Sequence, residues 1–90
     1  MMADAIHLSA VSSNGKSWER QVCYVNLPTD FGSLGILKNH APMLCALARG
    51  TVKYRFDGDA IGYLRISDGI ANIADNEVTL LLSDLEEVVS

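Results

Sequence analysis

Two histidines and two cysteines are the side chains in this 90-residue chain from which nucleophilic or metal chemistry would first be built. In NHAPMLC, His40 stands five positions before Cys45, and a thiol beside an imidazole is the minimal nucleophilic dyad. The spacing works against it. In an extended strand rising about 3.3 Å per residue, five positions put the two side chains on opposite faces and more than about 10 Å apart. A bend at Pro42 could bring them closer, yet no third orienting group and no glycine-rich oxyanion loop stands nearby in the sequence. His7 and His40 have neither a carboxylate nor a second histidine at ligand spacing, so no metal site is expected. Gly32 and Gly35 lack the following Lys-Ser or Lys-Thr that would make a phosphate loop entering a helix. The chain is therefore expected to be no enzyme, with no catalytic residue, no cofactor and no bound metal.

Composition narrows the alternatives. With 49% hydrophobic and 20% charged residues the chain has the makeup of a folded domain, and its length suits one hydrophobic core rather than two. A single domain over residues 1–90 is the expectation. The net charge of -4, the acidic pI near 4.8 and the scatter of seven basic residues argue against a nucleic-acid binder, which needs clustered Lys and Arg. The one tight basic pair, Lys53 and Arg55, falls on one face of a strand pattern and reads as solvated. No run approaches the roughly 20 apolar residues of a spanning helix, so no direct membrane insertion is expected. MMADAIHLSAVSS lacks the basic-then-apolar order of a secretory signal. A reducing cytoplasm then makes Cys23 and Cys45 free thiols, acting as small buried hydrophobes.

The elements that position these residues show themselves by alternation. In GTVKYRFD, Val52, Tyr54 and Phe56 share one face while Thr51, Lys53 and Arg55 share the other, the pattern of a strand with one wet side. DGD at positions 57–59 supplies a tight turn, and AIGYLRI resumes the extended pattern. Upstream, Ile6, Leu8 and Ala10 share a face, SSNGKS turns, and RQVCYVNL alternates through Cys23, Val25 and Leu27. Downstream, SDG and ADNE bracket IANIA, and EVTLLLS puts Val78, Leu80 and Leu82 on one side. Short strands at this spacing predict an all-β sandwich or flattened barrel. The tail SDLEEVVS fits either a helical turn capped by Ser83 or Asp84 or a last strand.

The segment FGSLGILKNHAPML stands apart. Read from residue chemistry, Gly32 and Gly35 open backbone conformations closed to other residues, Asn39 tolerates a left-handed turn, and Pro42 holds Ala41 extended. His40 is then either a turn histidine bonded to local backbone or part of a surface that meets a partner. A stand-alone ligand-binding or adaptor module is the alternative function, and it predicts a concave apolar cavity near His40.

GSLGILKNHAPML, LARGTV and ISDGIANIADNEVTLL, in that order, resemble the N-terminal domain of the epsilon subunit of F-type ATP synthase. The resemblance runs from about residue 6 to residue 84. It implies a sandwich of two antiparallel sheets, about five strands each, at the foot of the rotating central stalk. Its partners would be the gamma subunit and the ring of c subunits, and it would couple ion-driven rotation to ATP synthesis without catalysis of its own. By the same resemblance Asp30, Phe31, Gly32, Ser33 and Leu34 form the ring-facing loop, and Ser12, His40, Met43 and Cys45 face gamma. Ser33 takes a place where some members carry an acid, and Asp30 is the acid close by. Lys38 and Asn39 replace the usual Pro-Gly. Many members continue into two Ala- and Arg-rich helices that inhibit hydrolysis or bind ATP. Here the chain stops at Ser90, so a form without the helical hairpin, binding no ATP, is expected at the cytoplasmic face of a bacterial inner membrane.

Overall fold

The segments read as alternating form strands in the computed structural model, which describes residues 5–88, with RQVCYVNL divided between two of them. Ten strands follow in order: β1 Ile6–Ser12, β2 Ser17–Val22, β3 Tyr24–Thr29, β4 Gly32–Leu37, β5 Met43–Leu47, β6 Gly50–Arg55, β7 Ile61–Ile66, β8 Gly69–Ala74, β9 Glu77–Leu82 and β10 Leu85–Val88. They form two five-stranded sheets, ordered β2-β1-β9-β8-β5 and β10-β7-β6-β3-β4. The all-β sandwich expected from the sequence is the fold observed. No helix occurs among the described residues, and the tail is the strand β10, paired antiparallel with β7.

One ladder departs from the antiparallel expectation. β1 pairs with β2 antiparallel through the first hairpin but with β9 in parallel, His7 opposite Glu77 and Val11 opposite Leu81. All other ladders are antiparallel.

The core lies between the sheets, where inward positions of both interdigitate. Leu8, Ala10, Val25, Leu27, Val52, Leu64, Ala71 and Leu80 are sealed from solvent. Trp18, Tyr54 and Phe56 stack edge to face in turn, at 5.2 and 5.5 Å between ring centroids. Tyr54 fits because Gly62 lies directly opposite it on β7, and any side chain there would enter the ring.

RQVCYVNL is not one strand. Trp18 and Val22 point inward from β2, whereas Val25 and Leu27 do so from β3, so the inward parity changes from even to odd. Cys23 sits at the bend where the chain crosses between sheets, its amide donating to Arg55 O at 2.8 Å. It is half-buried rather than a member of the inward row.

The turns match their sequence signals. Asp75 and Asn76 both take positive φ, 54° and 62°, in the two-residue turn between β8 and β9, as such hairpins require. Gly58 and Asp59 do the same in the turn after β6. FGSLGIL, read above as a glycine-opened loop, is instead a hairpin tip followed by an edge strand. Asp30 and Phe31 make the turn, Gly32 follows at φ 112°, and β4 runs back along β3. In β3, Pro28 lies beyond the end of the ladder to β6, so its missing N–H breaks no bond there, and its carbonyl accepts from Ala48 N at 3.0 Å.

Candidate functional site

The residues singled out from sequence separate along the sandwich. One end carries the β3–β4 tip, the β1–β2 turn and the links from β5 to β6, β7 to β8 and β9 to β10. His40 belongs to the other end, in the connection from β4 to β5. There Asn39, at φ 65°, donates its amide N–H to Asn76 Oδ1 at 2.6 Å, which ties the connection to the β8–β9 turn. His40 N donates to Leu37 O at 3.2 Å, and Nδ1 lies 2.7 Å from Ala41 O. A carbonyl can only accept, so Nδ1 is the donor in this contact. The local-backbone reading of His40 is what the geometry shows. The depression beside it is lined by Asn39, Pro42, Asp75 and Asn76, a polar set that does not meet the apolar cavity predicted for a ligand-binding module.

Cys45 lies on β5, in a different depression. Burial pushes its thiol up from the ordinary value, which keeps it protonated and poorly nucleophilic. A dyad with His40 is not built here. His7 meets Glu19 across the β1–β2 ladder at 3.9 Å, a neighbour that linear spacing did not reveal. No grouping of three or more metal-ligating side chains exists among the described residues.

Ser12 is only 4% exposed. Its hydroxyl donates to Asn14 Oδ1 and accepts from Lys16 N at 3.0 Å, so it fastens its own turn. Phe31 is the opposite case, fully exposed at 101% on the tip. The turn beneath it is held by Thr29, whose hydroxyl donates to Gly32 O and accepts from Phe31 N at 3.2 Å. Asp30, Phe31, Ser33 and Leu34 share one groove of about 390 Å³ with Met43, Cys45 and Ala46. The structure thus brings two of the gamma-side candidates, Met43 and Cys45, against the tip residues assigned to the ring.

A further set of residues escaped the sequence reading. On the outer face of the first sheet, register aligns Val11, Leu81, Ile70 and Ala46 in one row across β1, β9, β8 and β5. All four are exposed, and Leu44, 71% exposed, continues the apolar surface along β5. Farther along the same face the rows are polar: Glu19, Ser9, Thr79 and Asn72, then Gln21, His7 and Glu77. The outer face of the second sheet is mixed: Lys53, Arg55 and Arg65 are exposed there, as expected for Lys53 and Arg55, and they are interspersed with exposed Leu37, Ile61, Tyr63 and Val88. The signal was available as breaks in alternation, since TLLL and SAVS place apolar residues at consecutive positions.

The ten-strand sandwich coincides in extent with a known domain. The family model described as "ATP synthase, Delta/Epsilon chain, beta-sandwich domain" matches residues 5–88. The chain belongs to the ATP synthase delta/epsilon family. The chain is similar to the ATP synthase epsilon chain of Lawsonia intracellularis, 37% identical over 86 residues that cover 96% of this chain and 64% of that one. It is similar also to the chloroplastic epsilon chains of Medicago sativa, 33% identical over 84 residues covering 93% and 61%, and of Guillardia theta, 37% over 83 residues covering 92% and 63%. The chain thus spans about three fifths of the length of these relatives. Among solved structures, the delta/epsilon sandwich superposes on a chain of the Euglena gracilis mitochondrial ATP synthase, in a structure titled "OSCP/F1/c-ring in rotational state 1". The TM-score is 0.83, with 21% identity and 97% of this chain and 55% of that chain covered. A chain in the Tetrahymena thermophila structure titled "central stalk/cring" gives a TM-score of 0.72, with 19% identity and 90% and 65% covered. At these identities the superpositions establish a shared fold.

Proposed function

We propose that this domain is a non-catalytic rotor component of an F-type ATP synthase, joining the gamma subunit to the ring of c subunits so that ion-driven rotation reaches the catalytic subunits. The observation that carries the reading is the exposed row of Val11, Leu81, Ile70 and Ala46 with Leu44 beside it. A contiguous apolar surface with polar rows flanking it has the anatomy of a protein interface. In this reading gamma covers that row and the adjoining β5, with His40, Met43 and Cys45 at its margin. The tip with Asp30, Phe31, Gly32, Ser33 and Leu34 meets the polar loops of the ring. Ser12 contributes by holding the first turn in shape. The working location is the membrane-facing foot of the stalk, at the cytoplasmic side of a bacterial inner membrane.

The family membership supports the assembly, and the titles of the superposed structures name a central stalk and a c-ring. A close-packed sandwich also suits the task, because it transmits force without yielding. Binding of the folded domain to a cognate gamma subunit tests the reading by calorimetry. Micromolar or tighter affinity is expected, with Leu81→Asp weakening it at least about tenfold as for a buried interface residue. Absence of binding by the intact fold overturns it. ATP titrated into the chain is expected to give no binding heat.

A further inference from the structure

Four strands end the two sheets, and they are finished in two ways. β2 and β10 carry Glu19, Arg20, Glu86 and Glu87, charges of the kind that keep a sheet edge from pairing with another chain. β5, Met43–Leu47, carries no charge and no proline, and pairs on one side only, with β8. Every second amide and carbonyl of β5 is thus turned away from β8 with no strand to meet it.

We infer that β5 is a strand-addition site, whose occupant is an extended, uncharged run of about five apolar residues from the protein that covers the apolar row. The inference rests on the interface reading above and specifies how the contact is made. Side chains of an added strand alternate between two faces. On the outer face they would lie beside Leu44 and Ala46, continuing the apolar row. On the inner face they would lie beside Met43 and Cys45, in the groove that Leu34 and Phe31 wall from the other sheet. Both environments are mainly apolar, with Thr29, Asp30 and Ser33 adding polar groups to the groove toward the tip, so the incoming strand must be apolar at consecutive positions beside β5, like a strand buried on both faces. An amphipathic strand would leave its polar side unsatisfied in the groove. β4 is also free of charges, but its two glycines and its place across the groove make it a wall for the added strand rather than the pairing partner.

Amide hydrogen exchange read by NMR, on the domain alone and bound to a cognate gamma subunit, tests this directly. Alternate β5 amides, those turned away from β8, are expected to exchange fast in the free domain and to slow by about two orders of magnitude in the complex. Intermolecular Hα–Hα contacts from β5 to one uncharged gamma segment should accompany the protection. If gamma binds while those amides keep their free exchange rates, strand addition is wrong and the interface reading stands. If gamma does not bind, both fall. If the slowing occurs in the domain alone and grows with its concentration, a second copy occupies the edge and the assignment to the partner is overturned.

Discussion

Along the edge formed by β2 and β10, Arg20 reaches Glu87 at 2.6 Å and lies 4.9 Å over the Trp18 ring, while Lys16 holds Asp84 at 2.8 Å and Leu85 O at 3.0 Å. Along the opposite edge, β4 and β5 face each other across a groove with no charged residue in either strand, and Phe31 and Leu44 project from it into solvent. The first edge is closed by the chain's own side chains, drawn from residues as far as 69 positions apart. The second is left open. A domain that needed no partner would have reason to guard both edges, because an unguarded one invites promiscuous pairing. Under the proposed function, the β4/β5 side is the one that meets a partner, while the β2/β10 side is closed by the chain itself.

Breaking the closed edge should cost stability, and breaking the open one should cost binding. The largest effect is expected from Trp18→Ala, which removes a side chain only 9% exposed from the aromatic stack. Urea unfolding should show a loss of about 3 to 5 kcal/mol, whereas Phe31→Ala at the open edge should stay within about 0.5 kcal/mol of the parent. A comparable loss from Phe31→Ala would erase the distinction between the edges. Next, Leu44→Lys installs on β5 the kind of charge that β2 and β10 carry. Affinity for gamma should fall at least about tenfold, with the unfolding midpoint nearly unchanged.

Smaller is the expected effect of Arg20→Ala, which removes both the pair with Glu87 and the cation over Trp18. The two groups are about one third exposed, so screening limits the loss to about 1 kcal/mol, smaller still in high salt. The smallest effect concerns Asp84, whose carboxyl is held down to about 2 from 3.8 by hydrogen bonds from Lys16, then Asn14 and the Leu85 amide. A depressed folded value means that the native state resists protonation, so the stabilisation is complete above about pH 4 and is lost as pH falls toward about 2. Thermal melts between those limits should show a decline that Asp84→Asn flattens.

Much of this asymmetry was hidden in the sequence while the fold was not. Alternation in GTVKYRFD, and the turns DGD and ADNE, state strands and hairpins locally, and each formed where expected. β4 does not announce itself, because glycines at 32 and 35 weaken a strand signal that pairing with β3 then restores. The parity change at Cys23 went unread because cysteine is apolar enough to continue an inward row in either phase. The sequence hints at the apolar row only through breaks in alternation such as TLLL and SAVS. Val11, Ile70, Ala46 and Leu81 become neighbours only through register between strands. His40 and Cys45, the pair that chemistry would join first, were kept apart by the same geometry.

The parallel ladder between β1 and β9 bears on how the molecule comes into being. β1 occupies an interior place in its sheet, yet one of its two neighbours is formed by residues 77–82. On a ribosome the first hairpin must wait with one flank unpaired until residues 77–82 have emerged, and the closing step spans most of this domain. Such long-range closure makes folding slow, in the range of milliseconds to seconds for all-β domains. During that wait the nascent hairpin, with Val11 already on its surface, is the stretch most in need of protection from premature association.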